Sequence, residues 1–127
     1  MPEPLDLPRH PGIRVTRIDG RGRGVVAVEP ILAGELIEAA PVARLRPGDS
    51  PAPVSPLYDF AFAWDEPPFA EAIAFGIVSL VNHAAAPNAT LRCDVAEQTI
   101  RLLAAHDIVA GEEITIDYGI PLWFEPR

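Results

Sequence analysis

The stretch Leu80–Leu91, "LVNHAAAPNATL", decides how this chain is interpreted. An apolar run ends at Asn82 and His83, three alanines follow, and the chain resumes with Pro-Asn. An Asn-His pair supplies amide and imidazole groups, and the proline stops a helix from continuing. We therefore predict short helical turns over residues 70–83 that end at this pair and present polar groups outward. Taken alone, Asn82 as a helix cap and His83 as a partly buried ring fit the stretch equally well.

The composition is that of one globular domain. The chain has 127 residues, 49% of them hydrophobic, and no apolar run reaches the ~20 residues that a bilayer-spanning helix needs. A single cysteine, Cys93, excludes an internal disulfide and a multi-cysteine zinc site built from this chain alone. We expect one domain over residues 1–127, with residues 1–12 as an extended arm and residues 46–56 as a Pro-rich loop. The N-terminus lacks the pattern of a secretory signal, so a cytoplasmic protein is expected.

The charge balance is acidic. Eighteen Asp and Glu face ten basic residues, all of them arginine, and the net charge is −8. Such a surface repels nucleic-acid phosphates and attracts basic partners, although simple solubility explains it as well. We expect no nucleic-acid partner and no membrane partner.

Hydrophobic patterning predicts a mainly β fold with short strands and many turns. "IRVTRI" (Ile13–Ile18) sets Ile13 and Val15 against polar neighbours, which is the period of a half-buried strand. "DGRGRG" (19–24) is a turn. Residues 57–64 are aromatic and fit either a strand or a loop lining a groove. Further strands are predicted within residues 25–29, 34–45, 88–95 and 98–108, with a last one at 112–118.

One local sequence occurs twice. "ILAGELI" (31–37) and "IVAGEEI" (108–114) share an apolar strand end, an Ala-Gly turn and a Glu that enters the next strand. The offset is 77 residues (108 − 31), too long for a solenoid repeat. We interpret both as the same local turn.

The candidate functional residues are weak when taken singly. The Gly-Arg-Gly at Gly22–Gly24 is typical of a turn and is no dinucleotide fingerprint, because no helix follows it. The three histidines are far apart without a metal-binding pair, and no serine lies in a nucleophile elbow. Cys93 lies in a strand with nothing nearby to activate it. Tyr118 fits a strand aromatic whose hydroxyl reaches the surface, and Trp123 fits a cover for the core edge.

The order of these signals is more specific than any one of them. "GRGVVAVEPILAGELIE" (22–38), "VNHAAAPNATL" (81–91) and "IVAGEEITIDYG" (108–119) occur in that order. Together they resemble the SET-domain protein-lysine methyltransferases, in particular the minimal bacterial and viral members. The resemblance implies a fold of several small sheets with short helical turns and a knot-like C-terminal crossing under the Asn-His loop. Such threading is rare in other folds.

The resemblance also implies a cofactor, S-adenosylmethionine, and residues that bind it. The backbone around Gly22, Arg23 and Gly24 would face the methionine part of the cofactor. Asn82 would hydrogen-bond its amino-acid end, and the main chain at His83 would contact the adenine edge. No metal is implied.

The resemblance assigns the remaining roles to five further residues. Tyr118 would be the catalytic residue beside the reacting sulfonium and would also contact the cofactor. Trp123 would stack on adenine. Tyr58, Phe60 and Leu122 would line the channel of the substrate lysine.

Departures from the family pattern keep a second function open. Ala84 replaces the usual serine after Asn-His, and Phe60 and Leu122 replace aromatic or hydroxyl-bearing positions of the channel. The leading prediction is a methyltransferase that modifies a lysine of a basic protein or peptide, with a homodimer suggested by the minimal members. The alternative is a catalytically inactive SET-fold binding module. A third reading, a small β domain that pairs with a partner chain, depends only on the Pro/aromatic segment 51–69.

Overall fold

The computed structural model describes residues 7–117 and 123–124, which form strands, turns and three short 3₁₀ helices. The prediction of a mainly β fold is confirmed. The elements in chain order are β1 Ile13–Ile18, β2 Gly22–Ala27, β3 Leu36–Leu45, η1 Pro47–Asp49, η2 Tyr58–Phe60, β4 Ala61–Glu66, β5 Phe69–Ala74, η3 Ile77–Leu80, β6 Asn82–His83, β7 Ala89–Asp94, β8 Thr99–Ala104, β9 Glu113–Ile116 and β10 Trp123–Phe124.

The strands form two sheets. One has the order β1-β2-β9-β6 and the other the order β10-β7-β8-β3-β5-β4. Strand β6 runs parallel to β9, and β10 runs parallel to β7, whereas the remaining neighbours are antiparallel. The expected knot-like crossing involves residues 118–122, which lie outside the described residues, so it stays a prediction.

The core between the sheets is small and aliphatic. Its most deeply buried side chains are Val25, Ile31, Ile37, Val78, Val81, Cys93, Ile100, Leu102, Ile108 and Ile114. Trp64 is the large aromatic residue of this cluster and is 2% exposed. Among the described residues, no helix is long and apolar enough to cross a membrane.

Strand β1 has the bounds that its sequence predicts, but its alternation is only half right. Ile13 is buried at 4% exposure, whereas Val15 on the same face is 46% exposed. Because β1 is the outer strand of its sheet, only its first residue reaches the core. Val15 instead lines an open cleft.

The predicted helical turns over residues 70–83 are largely wrong. Phe69–Ala74 is strand β5, which lies between β3 and β4. Only Ile77–Leu80 forms a helical turn, and Asn82–His83 pairs with β9 as a two-residue strand. The physical reason is tertiary pairing: β3 and β4 lie on either side of this segment, and their backbone hydrogen bonds override the helix propensity of its alanines.

A buried carboxylate holds the single helical turn that precedes Asn82. Glu38 is 3% exposed, and its two oxygens accept hydrogen bonds from the backbone N–H groups of Ile77 (3.0 Å) and Val78 (2.9 Å). Arg9 lies 3.7 Å from the same carboxylate. A Cβ on Gly76 would come within 2.7 Å of Glu38 Oε1, so only glycine fits there.

The repeated Ala-Gly turns have the same conformation and contact each other. Ile31 and Ile108 exchange both backbone hydrogen bonds, at 2.9 and 2.8 Å. Gly34 and Gly111 have φ values of +86° and +94°, which glycine adopts without strain. The interpretation of the two stretches as one kind of turn is confirmed.

Each turn is closed by the glutamate that follows its glycine. Glu35 accepts the Leu32 N–H at 2.8 Å, and Glu112 accepts the Val109 N–H at 3.0 Å. The backbone N–H of Gly111 then reaches across to strand β2, and that of Gly34 reaches β8. The two turns are therefore related by an approximate two-fold arrangement that joins both sheets.

Other segments refine the sequence-based picture. The Pro-rich loop 46–56 contains one helical turn, η1, and the aromatic segment 57–64 divides into η2 and the start of β4. In the N-terminal arm, the Pro8 carbonyl and the His10 N–H bond to β3. The strand at residues 112–118 is not the last, because β10 follows it.

Asn88 joins the start of β7 to β9 from a buried position. Its Oδ1 accepts the Thr115 N–H at 2.9 Å, and its Nδ2 donates to the Glu113 carbonyl at 2.8 Å and to the Glu112 carboxylate at 3.2 Å. Asn88 is 7% exposed. Its amide therefore satisfies backbone groups that water does not reach.

We predict that Asn88→Ala lowers the free energy of unfolding by about 2–4 kcal/mol, because buried groups are left without partners. Urea unfolding with an unchanged m-value measures the loss. Thr90→Ala, at an exposed position of the same strand, is the matched control and should cost about 1 kcal/mol or less. Equal losses in the two variants would contradict the role of Asn88.

Glu112 makes the free energy of unfolding depend on pH in the acid range. The hydrogen bond from the Val109 N–H, followed by that from Asn88, lowers the pKa of the Glu112 carboxyl below its usual range. The folded chain then binds fewer protons than the unfolded chain just below the ordinary Glu pKa of about 4.3. This stabilisation is present above that pH and is lost as the pH falls through the folded-state pKa.

We predict that Glu112→Gln flattens this acid response. Thermal unfolding followed from about pH 7 to pH 3 should show a smaller loss of Tm in the variant than in the wild type. Glu97→Gln, in the exposed β7–β8 turn, should follow the wild-type curve. Parallel curves for wild type and Glu112→Gln would refute the assignment.

Candidate active site

An open cleft of about 990 Å³ lies between the β1–β2 hairpin, η2 and the segment that runs from η3 into β6. It brings together residues that are far apart in the sequence. The lining residues are Val15, Thr16, Arg17, Arg21, Gly22, Arg23, Asp59, Phe60, Ser79, Leu80, Val81 and Asn82.

Asn82 is fixed at the floor of the cleft. Strand β6 pairs Asn82 with Thr115 of β9, and the Asn82 Nδ2 donates to the Arg23 carbonyl at 2.8 Å and to the Glu113 carboxylate at 2.7 Å. Both amide hydrogens are used in this way. Within the described residues, no group donates to Asn82 Oδ1, which leaves this oxygen as an acceptor.

The two glycines of the Gly-Arg-Gly stretch serve different purposes. Gly22 has φ = +79° at the end of the hairpin turn and open space around it. Gly24 lies behind Asn82, because a Cβ there would come within 2.5 Å of Glu113 Oε2 and 2.7 Å of Asn82 Nδ2. Gly22 thus allows the turn, and Gly24 allows the contact between β2, Asn82 and Glu113.

Four of the sequence-predicted site residues line the cleft, namely Gly22, Arg23, Phe60 and Asn82. His83 follows Asn82 with its ring exposed, and its Nδ1 lies 3.5 Å from Asp117 Oδ1. The other predicted residues that the structure describes lie next to the cleft: Gly24 packs behind it, and Tyr58 is 49% exposed in η2.

The C-terminal site predictions fall mostly outside the described residues. Tyr118 and Leu122 are not described. Trp123 lies in β10, where its backbone is paired with Arg92 of β7, and its side chain is outside the described part. These three assignments therefore stay predictions.

Several cleft residues were not predicted from the sequence. Arg21 at the hairpin tip pairs with Glu113 at 3.0 Å, and Glu113 in turn binds Asn82. Arg17 also lines the cleft from the hairpin. The "GEE" of the second Ala-Gly turn was the available signal for Glu113, but its partners lie 31 and 92 residues away.

The charges of the cleft are divided between its walls. Arg17, Arg21 and Arg23 lie on the hairpin side, whereas Asp59 lies beside Phe60 in η2. A guanidinium fork suits a carboxylate. The cleft can therefore bind a zwitterionic ligand with its anionic group toward the hairpin.

Two other kinds of chemistry have little support. Burial raises the pKa of the Cys93 thiol to about 12, which keeps it protonated and unreactive. Among the residues that the structure describes, no cluster of three or more His, Cys, Asp or Glu could hold a metal ion.

Comparison with known proteins agrees with this geometry. The family model of the SET domain matches residues 22–119. A histone-lysine N-methyltransferase specific for H3 lysine-37, from Schizosaccharomyces pombe, is 30% identical over 115 residues, which are 89% of this chain and 77% of that protein.

Solved structures share the fold. A candidate histone methyltransferase from Plasmodium falciparum superposes with a TM-score of 0.70 at 24% identity, covering 85% of this chain and 93% of that one. KRYPTONITE, solved with mCHG DNA and SAH, gives a TM-score of 0.65 at 26% identity, covering 85% of this chain but 23% of its own. With the family match spanning β2, the Asn-His segment and β9, the chain belongs to the SET-domain family of protein-lysine methyltransferases.

Proposed function

We propose that this chain transfers a methyl group from S-adenosylmethionine to a lysine side chain of a basic protein. The observation that carries the proposal is the meeting of the Gly22–Arg23 backbone with Asn82 in one cleft. The S. pombe relative is a histone-lysine methyltransferase, and KRYPTONITE has been crystallised with SAH and with an H3 peptide. The S. pombe relative supports the proposed substrate class, and KRYPTONITE supports both the cofactor and the substrate class.

The residues of the cleft fit the amino-acid end of this cofactor. Asn82 Oδ1 is an acceptor suited to an ammonium group, and the arginine wall suits a carboxylate. When bound, the cofactor supplies an electrophilic methyl group on a positively charged sulfur. Gly22, Arg23 and Asn82 then bind and orient its amino-acid end.

The acceptor lysine must lose its proton before it reacts. With a free pKa of about 10.4, roughly one lysine in a thousand is neutral near pH 7. An apolar channel disfavours the ammonium form, and Phe60 supplies an apolar ring on the cleft wall. Tyr118, placed by family similarity, would orient the amine in line with the methyl group, since positioning supplies most of the rate enhancement in such a displacement.

The acidic balance of the chain supports a basic protein as substrate. Asp59 lines the cleft, and Asp65 lies exposed on the neighbouring strand β4. Glu66 is less available, because Arg44 lies 3.2 Å from its carboxylate.

We further propose that the protein works in the cytoplasm as a homodimer, without a nucleic-acid or membrane partner.

We predict that calorimetric titration detects S-adenosylmethionine binding with a Kd on the order of micromolar. Asn82→Ala should weaken it by about tenfold or more, because a hydrogen bond to a charged group is lost. Glu97→Gln, at an exposed turn position, is the control and should bind as the wild type does. Absence of binding by the wild-type chain would refute the cofactor assignment.

We predict that Tyr118→Phe lowers kcat by about tenfold to a hundredfold while leaving cofactor affinity nearly unchanged. The hydroxyl orients the amine, whereas the ring that remains still fills the same space. Methyl transfer to histone H3 measures kcat, and calorimetry measures affinity. An unchanged rate would remove Tyr118 from the mechanism. Cofactor binding without transfer to any basic protein would favour the inactive binding module.

A further inference from the structure

One carboxylate connects two parts of the cleft that the sequence keeps apart. Glu113, at the start of β9, is 18% exposed in its side chain. Its Oε2 accepts a hydrogen bond from Asn82 at 2.7 Å, and its Oε1 accepts one from Arg21 at 3.0 Å. Glu113 itself is absent from the residues that line the cleft. It therefore contacts two lining residues from behind.

The chemistry of this contact fixes which way the Asn82 amide faces. A carboxylate accepts hydrogen bonds and cannot donate them when ionised, and the same holds for the Arg23 carbonyl. Both acceptors therefore require the Nδ2 end of the Asn82 amide. The Oδ1 end is left on the other side of the group as an acceptor. Glu113 and the Arg23 carbonyl thus together select one of the two amide orientations.

The contact between Glu113 and Arg21 holds the tip of the β1–β2 hairpin. Arg21 lies at the tip of the β1–β2 hairpin between Gly20 and Gly22, whose φ values are +80° and +79°. A tip with two glycines has few contacts of its own to hold it. The pair between Arg21 and Glu113 ties this tip to β9, so that the guanidinium stays at the cleft.

We propose that Glu113 is a positioning residue for the amino-acid end of the cofactor: it holds the Asn82 amide and the Arg21 guanidinium in the arrangement that receives the ammonium and carboxylate groups. The proposal rests on the proposed function. A positioning role affects affinity for the amino-acid end of the cofactor. A general role of Glu113 in folding would affect the binding of every ligand of the cleft.

The test compares two ligands that differ in that end. S-adenosylmethionine carries the amino-acid group, whereas 5′-methylthioadenosine lacks it. We predict that Glu113→Gln weakens S-adenosylmethionine binding by about tenfold, because a neutral amide with one oxygen replaces the carboxylate whose two oxygens accept from Asn82 and Arg21. Binding of 5′-methylthioadenosine should change by less than about twofold, within the spread of a distant substitution.

Four further measurements complete the test. Glu113→Ala should show the same ligand difference with a larger loss, and Glu97→Gln should bind both ligands as the wild type does. In the double variant of Glu113→Gln and Arg21→Gln, the loss of S-adenosylmethionine affinity should be smaller than the sum of the two single losses, because both substitutions remove the same contact. Thermal unfolding without ligand shows that each variant is folded.

The outcomes separate the two proposals. Equal weakening of both ligands, or no weakening of either, would overturn the positioning role while leaving the proposed function in place. If the wild-type chain binds neither ligand, the proposed function fails and the positioning role fails with it. A selective loss for S-adenosylmethionine alone supports both.

Discussion

The structure depends on how the segment from Asn82 to Asn88 closes over strand β9. Asn82 donates to the Glu113 carboxylate, and Asn88 donates to the Glu113 carbonyl and accepts the Thr115 N–H. Strand β6, which begins at Asn82, adds a parallel pairing with Thr115 and Ile116 of β9. An unsatisfied buried polar group costs about 1–3 kcal/mol. Because both asparagines need their partners at once, only one register of the segment on β9 satisfies them.

The same closure builds the cleft. Asn88 is buried and serves the fold, whereas Asn82 is only partly buried and keeps one amide oxygen for a ligand. Gly24 lacks a side chain because Asn82 and Glu113 occupy that space. Folding and binding therefore use adjacent groups on one strand, and Glu113 takes part in both. This explains why residues at positions 22–24, 82 and 113 meet, although no local pattern links them.

Local features of the fold were predictable, and contacts between distant segments were not. The alternation in Ile13–Ile18 gave the exact bounds of β1, and the Ala-Gly turns were interpreted correctly, but nothing in the sequence showed that Ile31 and Ile108 pair with each other. Residues 70–83 were misassigned because their alanines favour a helix, whereas pairing with β3 makes the first part of the segment a strand. The order of the three motifs identified the family, while the contact between Arg21 and Glu113 spans 92 residues and has no local signature.

The distribution of charge resolves a conflict in the proposed reaction. A basic substrate is attracted by carboxylates, yet the lysine that reacts must lose its charge, and a carboxylate beside it would stabilise the ammonium form. In this chain Asp59 and Asp65 are exposed, whereas the ring of Phe60 is half-buried on the cleft wall. The exposed carboxylates then attract the basic substrate, and the ring of Phe60 desolvates the lysine amine. Because Asp59 also lines the cleft, the ring of Phe60, and not the carboxylates, supplies the apolar surroundings in which the amine loses its proton.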